Sequence, residues 1–505
     1  MHRRRIAALV TWALLAAACG HTVIVVPAAP RPAAEKHALR QEVRREQGPG
    51  TKAVVSTGGG SSVNVAAPIQ GQAGSGAASA ASPDSRCATT SNPSQGYTAN
   101  TLTIGTIIPL TGALRPLGEQ TLAAMRVSID RSLNNSTHIP GPYSTINWGC
   151  PTRAGVFGRR VSLKVYSLQG NTPEDALAGM RRLIDDDHVF LVRDCYLESN
   201  LMGPAVAYEN SKGVPGAYCY YSDHIPELDS WNFAPATNPL VSAAIHTAYL
   251  IRVMHLTHLA ILSDPSQEHL SVVVIRRVAA YLGHPIPDGC VVYKHAQDAP
   301  NGEDAEVAAL RSCYGPVSPD AVVTSDALNL TFGALAASNQ GWQTHWDSGP
   351  GSAWVTSLAQ VCGAACAGAT TDCQALPCIP WASPLKYPSV RRLQTTYRSY
   401  LRSYPPDILT YGPQAISDGL GLWLGQTGPN LTREGFRRTL LSLKHWDAGI
   451  GPVITITPHD HFGAAAVWMI HFTGHESGPV PWFDDTSGRF VTLSELGVPL
   501  SLTRV

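Results

Sequence analysis

The sequence predicts an α/β protein that carries two doubly wound parallel sheets, each covered by helices on both faces, on a single chain. Three observations lead there. Runs of β-branched residues alternate with stretches of helical apolar spacing from residue 101 to residue 324, and such alternation builds parallel sheets between helix layers. The pattern is interrupted by an Asn-Phe-Ala-Pro-Ala-Thr-Asn-Pro crossover at 232–239 and then restarts, which calls for a second sheet. With 44% hydrophobic and 15% charged residues over 505 positions, the composition suits a globular protein that buries a sizeable core. The 37 Lys plus Arg balance the 37 Asp plus Glu, so no global basic field is present to gather nucleic acid or anionic lipid.

The elements follow in order. Leu102 to Pro109 is a β-branched run closed by a Pro and Gly turn, and Gly118 to Leu133 has helical apolar spacing. Arg160 to Leu168 is a strand, and Thr172 to Asp186 a helix whose Thr172-Pro173-Glu174-Asp175 start is a capped N-terminus. Strand His188 to Arg193, helix Leu201 to Ser211 and strand Val214 to Tyr220 complete the first set. After the crossover come helix Leu240 to Met254, strand Leu259 to Leu262, helix Leu270 to Leu282, strand Cys290 to Lys294, helix Glu303 to Tyr314 and strand Ala321 to Thr324.

The N-terminus is of another kind. Three arginines at 3–5, an apolar run from Ile6 to Ala18 and then Cys19-Gly20 make the charged region, short apolar region and small-residue cleavage site of an export signal. No apolar run in the chain approaches the roughly 20 residues that span a bilayer, which excludes a polytopic membrane protein. Leu15 to Cys19 is similar to the lipobox of bacterial lipoproteins, in which the Cys becomes the lipidated first residue; Ala16 stands where the branched apolar residue is usual. A plain secretory signal is the alternative. Acyl chains would hold the protein on the outer face of the membrane, at about 0.8 kcal/mol per buried methylene. Residues 20–86 are rich in Ala, Gly, Ser and Pro and are expected to be a disordered tether, with helix-forming residues near His37–Arg45.

Of 11 cysteines, setting Cys19 aside leaves ten, an even number that outside the cytoplasm implies up to five disulfides. The simplest connectivity pairs neighbours: Cys87 with Cys150, Cys195 with Cys219, Cys290 with Cys313, and two bridges among Cys362, Cys366, Cys373 and Cys378. Zinc in that last cluster is the alternative, but the spacing lacks the two close pairs of a zinc ribbon. No metal or other cofactor is expected.

Taken in order, the motifs resemble the type 1 periplasmic binding proteins, especially the branched-chain amino-acid (Leu/Ile/Val) binding lipoproteins of ABC importers. The resemblance rests on Ile104 to Gly112 with Gly118, Gly155 to Val161, the helix from Pro173 to Asp187, Glu209 to Pro215, Leu259 to Asp264, Tyr411 to Leu424 and Leu431 to Phe436. It implies two lobes joined by three crossovers and closing on a ligand in the cleft between them. Carried over, lobe one is 87–237 plus 350–447 and lobe two 238–349 plus 448–505, with the later crossovers near 348–352 and 447–452.

The resemblance also implies a pocket. Ser199 at a helix start, and Tyr220 with Ser222 after the fourth strand, take the places that bind an amino-acid carboxylate; a plain N-cap for Ser199 and strand-end packing for Tyr220 are the alternatives. Trp381 falls where an aromatic lines the pocket, or else in the core of lobe one, and Leu117 in the loop that covers the ligand. Lobe two departs from the pattern: Gln267-Glu268-His269 replaces a Tyr, and Leu330 stands about where a carboxylate pairs with the ligand ammonium. Either Asp326 or Glu268 substitutes as the negative charge, or the ligand is not an α-amino acid but a sugar, an amide or an aromatic solute.

Chemistry finds little support. His459-Asp460-His461 lies in a Pro-bounded turn between strand-like runs and lacks a third ligand at helical spacing, and neither a G-x-S-x-G elbow nor a phosphate loop occurs. The expected protein is therefore a non-enzymatic, exported, lipid-anchored solute binder. It takes a small polar organic solute, amino acid or amide-like, and hands it to an ABC permease. A ligand sensor, or a surface structural protein with a degenerate pocket, is the alternative with the same fold.

Overall fold

The computed structural model of the chain describes residues 86–112, 115–136, 147–170, 172–194, 199–218, 231–234, 237–265, 271–295, 298–299, 302–349, 361–373, 388–405, 408–445, 452–473, 482–484, 486 and 489–504. The export signal with Cys19, the stretch 20–85 and the expected 37–45 helix lie outside them.

Sheet one is built on β1 (Thr101–Pro109), buried along nearly its whole length as a central parallel strand must be. It pairs in register with β2 (Arg160–Leu168), from Thr101 opposite Arg160 to Pro109 opposite Leu168. On its other side follow β3 (Leu191–Asp194), β4 (Gly216–Tyr218) and β5 (Asn232–Phe233), all parallel, in the order β2-β1-β3-β4-β5. The intervening helices are α1 (Arg115–Ser128), extended by a π-helical turn to Asn134, α2 (Pro173–Arg181) and α3 (Ser199–Ser211). Thr172 caps α2 as expected, its hydroxyl accepting from Asp175 N at 3.3 Å. β3 begins three residues later than expected. His188 adopts a left-handed φ of 51°, and Val189 N donates to Leu183 O at 3.0 Å, so these residues turn the chain into the strand.

Side chains alternate across this sheet. Ile107 and Val192 pack with Met180, Ala205 and Val206 of α2 and α3. Leu102, Ile104 and Leu191 face the other way, against Leu420 and Trp423 of α9 (Ile408–Thr427) and Phe436 of α10 (Arg433–Leu441). The last two helices follow α4 (Pro239–Arg252), α5 (Val273–Tyr281), α6 (Asp304–Ser312), α7 (Ala327–Asn339) and α8 (Pro388–Thr396) in the chain.

Sheet two comprises β6 (Leu259–Ser263), β7 (Val291–Tyr293), β8 (Ala321–Thr324), β9 (His345–Asp347), β10 (Thr370–Cys373), β11 (Ala466–Phe472), β12 (Trp482–Asp484) and β13 (Val491–Thr492). Its order is β12-β11-β10-β9-β8-β6-β7, with β13 also on β11. The strands from β6 to β10 are parallel, whereas β11 is antiparallel to β10, β12 and β13. Helix α4 is buried nearly all round between this sheet and its other cover, consistent with its apolar sequence.

Two expected lobe boundaries move. β10 hydrogen-bonds within sheet two, so the chain is still in the second lobe at Cys373, beyond the crossover expected at 348–352. Ile454, Ile456 and Ala464 pack in the core of sheet one with Leu102 and Phe436, so the last crossover falls at 464–466 and not at 447–452. The first shift has a physical cause: strands as short as β9 and β10 are defined by their partners and not by their own residues.

Among the described residues three disulfides are formed: Cys87–Cys150, Cys290–Cys313 and Cys362–Cys366, with Cα separations of 4.8, 5.1 and 5.7 Å. All lie within the span a disulfide requires. Cys195, Cys219 and Cys378 lie outside the described residues, and Cys373 is described as strand backbone.

Candidate ligand-binding site

In a parallel α/β sheet, ligands gather outside the carboxyl ends of the strands, where helix N-termini converge. In sheet one this edge runs through Pro109, Leu168, Asp194 and Tyr218. Thr111 ties it together by donating its hydroxyl to Leu168 O at 2.9 Å. Helix α3 starts at Ser199, as the sequence places it. Leu117 lies elsewhere than expected: it sits in the first turn of α1, half-buried against the cluster of Ile108, Leu122, Met125 and Ile416, and not in a covering loop. Its helix approaches the strand closely, because a Cβ on Gly118 would stand 1.8 Å from Pro109 O. Tyr220, Ser222, Glu268 and Trp381 lie outside the described residues.

In sheet two the same edge is a polar layer. Ser325 Oγ accepts from Ser263 Oγ and from Asp264 N, both at 2.9 Å. Asp326 caps α7, its carboxylate accepting from Asn329 N at 2.8 Å and from Asn329 Nδ2 at 2.7 Å. The same Asn329 amide donates to Lys294 O at 3.0 Å, and Lys294 Nζ reaches Glu306 at 3.1 Å. Asp326 is thus engaged by its own helix, and Leu330, at the position where a carboxylate was sought, is buried in the apolar core.

Behind that layer lie charged groups that periodicity does not reveal. His246 of α4 donates Nδ1–H to Asp347 at 2.8 Å and holds Nε2 within 3.4 Å of Asp372. Ser242 donates to Asp372 at 2.5 Å, Thr370 donates to Asp347, and Gly349 N donates to the other Asp347 oxygen at 2.8 Å. Burial alone would lower the imidazole pKa, but the two carboxylates overcome it and raise it to about 10, and His246 in turn holds Asp347 below the usual carboxylate range despite its burial. Glu303, also buried, has no hydrogen-bond partner on either oxygen among the described residues. In sheet one, Asp418 of α9 receives Ser132 at 2.6 Å and Gln414 at 2.9 Å and pairs with Arg392. The available signals were a His inside the apolar helix 239–252 and an Arg inside the strand 188–194.

The two sheets are joined side by side. Thr237, leaving sheet one, bridges Ala464, which is about to enter sheet two, and its hydroxyl donates to Ala466 O. His461 stacks on Phe233 at 4.5 Å between centroids and pairs Nδ1 with Asn232 O at 2.8 Å. The 459–461 motif is therefore a turn that ties two connecting segments together, with Asp460 accepting from Phe462 N at 3.0 Å and Gly463 N at 3.2 Å. Among the described residues no three His, Cys, Asp or Glu form a group able to hold a metal ion.

Residues 101–476 match a family model described as periplasmic binding protein. The chain belongs to the periplasmic binding protein family. No curated protein matches it significantly. Among solved structures it is similar to a leucine-binding protein from Thermotoga maritima, at 13% identity over 78% of this chain and 100% of that one, with a TM-score of 0.60. It is also similar to a fatty acid ABC transporter substrate-binding protein from Thermomonospora curvata, at 16% identity over 79% of this chain and 95% of that one, with a TM-score of 0.61. A possible leucine/isoleucine/valine-binding protein from Rhodopirellula baltica matches at 13% identity over 81% of this chain and 100% of that one, with a TM-score of 0.59. Identities this low establish the fold, here the type 1 arrangement of two sheets. As a periplasmic binding protein the chain falls among extracytoplasmic solute binders, and none of its described helices is long and apolar enough to cross a membrane.

Proposed function

We propose that this periplasmic binding protein is exported, anchored through an acylated Cys19 to the outer face of the cell membrane, and captures a small organic solute between its sheets for delivery to an ABC permease. One observation carries the reading: two mostly parallel sheets, the second ending in a polar edge, are joined by segments that lie side by side at Thr237 and Ala464. Such a connection lets the lobes bend about a narrow waist, which is how a two-lobed binder closes. Lobe one is 87–237 plus the return segment that includes 408–464, and the remainder of the folded chain is lobe two.

Ser199 at the start of α3, Tyr220, Ser222 and Trp381 supply the lobe-one wall, with Glu268 opposite. The engaged Asp326 and the buried Leu330 argue against an ammonium-binding carboxylate at those two positions. Similar proteins named for leucine and for fatty acid indicate that the fold serves both zwitterions and plain acids.

The test is a thermal-shift screen of the oxidised protein against amino acids, amides, sugars and organic acids. A bound solute stabilises the native state by about 2.7 kcal/mol at a hundredfold excess over its Kd, and Ser199→Ala and Trp381→Ala should remove the shift. A well-folded protein that no solute stabilises would refute the transport reading. Cys19→Ser should move the protein from the membrane fraction to the soluble one; retention on the membrane would rule out the anchor.

A further inference from the structure

Arg193 is the buried charge that the solute-binding reading leaves unused. It stands one residue before the carboxyl end of β3, on the face of sheet one that meets α9. Its side chain is fully buried. One nitrogen, Nη2, donates to Pro413 O, while among the described residues Nε and Nη1 have no partner and no carboxylate pairs with it.

The other fully buried arginine of lobe one is not left this way, and neither is the partly exposed Arg392. Arg159, equally enclosed, gives Nε to Thr98 O at 2.7 Å, Nη1 to Pro429 O at 2.8 Å, and Nη2 to Thr90 O at 3.1 Å and Thr90 Oγ1 at 2.9 Å. Arg392 has Asp418. A guanidinium taken out of water with most of its donors idle is a costly arrangement. Burial lowers its pKa only to about 9, so it stays cationic at neutral pH.

Its position gives the idle charge a meaning. The end of β3 belongs to the same sheet edge as the first turn of α3, where the positive end of a 13-residue helix also favours an anion. Across the waist, the described carboxylates of lobe two near its polar edge already have cationic or local neighbours or are sealed in: Asp264 faces His295 at 3.8 Å and Glu306 faces Lys294 at 3.1 Å. Asp326 is spent on Asn329, Leu330 is core, and Glu303 is sealed against α7, with one oxygen 2.7 Å from where a Cβ on Gly333 would stand.

We propose that Arg193 is the counter-charge awaiting the ligand, so that the solute is a carboxylic acid without an α-ammonium group and its carboxylate takes up the idle guanidinium donors. This rests on the solute-binding reading and names its substrate class.

The experiment uses the oxidised full chain and matched probes: butyrate, isocaproate, decanoate and benzoate, each with its primary amide, together with leucine. Binding is read by calorimetry and thermal shift. At least one acid should bind about tenfold or more tighter than its amide, and Arg193→Met should abolish that preference while leaving the melting midpoint of the ligand-free protein unchanged or raised. A merely structural arginine would instead lower that midpoint and leave the preference intact. If an amide or leucine binds as well as the acids, the anion assignment is overturned and the solute-binding reading stands. If no probe binds, the assignment is overturned, and the solute-binding reading is then judged by the sugar and amino-acid arms of the wider screen. Should Arg193→Met fail to fold, the comparison of acid with amide on the unaltered protein decides alone.

Discussion

A carboxyl group that loses its water and gains no partner protonates, and Glu303 illustrates the consequence for stability. Burial, reinforced by the nearby carboxylates of Asp326 and Glu306, pushes its pKa up to about 9 from an ordinary value of 4.5. Between those values the folded state holds a proton that the unfolded chain has released, so stability falls as pH rises, by up to about 1.4 kcal/mol per pH unit. Glu303→Gln should therefore flatten the decline in urea midpoint between about pH 5 and about pH 8; an unchanged slope would show that the carboxyl is not held neutral. His246 acts in a higher window. Its folded value of about 10 lies above the ordinary 6.5, so the stability from its two ion pairs is complete below the latter and is lost as pH rises through the former. His246→Ala leaves Asp347 and Asp372 buried without their cation and should cost about 3–5 kcal/mol at neutral pH, measured by chemical denaturation. Neither residue was legible in the sequence as a charged site, because Asp347 lies 101 positions from His246 and the pairing exists only once β9 is laid beside α4.

The junction of β1 with α1 shows what can be read from a chain and what cannot. Gly118 was visible as a motif residue, but its reason is spatial: its Cα faces Pro109 O so closely that any Cβ would collide with the strand end. Gly118→Ala should destabilise the protein by about 1–3 kcal/mol through this overpacking, seen as a lower urea midpoint. A substitution without effect would mean that α1 can slide on its strand. Long elements with a strong period were legible from their own residues. β2 starts and ends where the β-branched run does, and α4 follows its apolar stretch to within two residues at the C-terminus. β9, β10, β12 and β13 were not, since short segments such as His345–Asp347 carry polar side chains whose place in the sheet comes from hydrogen bonds to neighbours, whereas β11 falls in the strand-like run that follows the 459–461 turn. Of the expected pocket, Ser199 stands at its helix start, whereas Leu117 and Asp326 serve local packing and capping.

Taken whole, the molecule is two sheets joined where Thr237 meets Ala464, and a bound solute should draw them together. With a solute that raises the melting midpoint, small-angle scattering should report a smaller radius of gyration; an unchanged radius would mean that binding proceeds without closure. The order of connections carries a further consequence at the Cys87–Cys150 bond. This bond closes a loop of 63 positions that contains both β1, an interior strand of sheet one, and α1. Tension applied to the chain ahead of Cys87 therefore passes through the sulfur atoms directly to Cys150 and on toward β2, bypassing the loop. Strand β1 is excluded from the path of the force, so a protein held by its N-terminal end can be tugged without β1 being drawn out of the sheet.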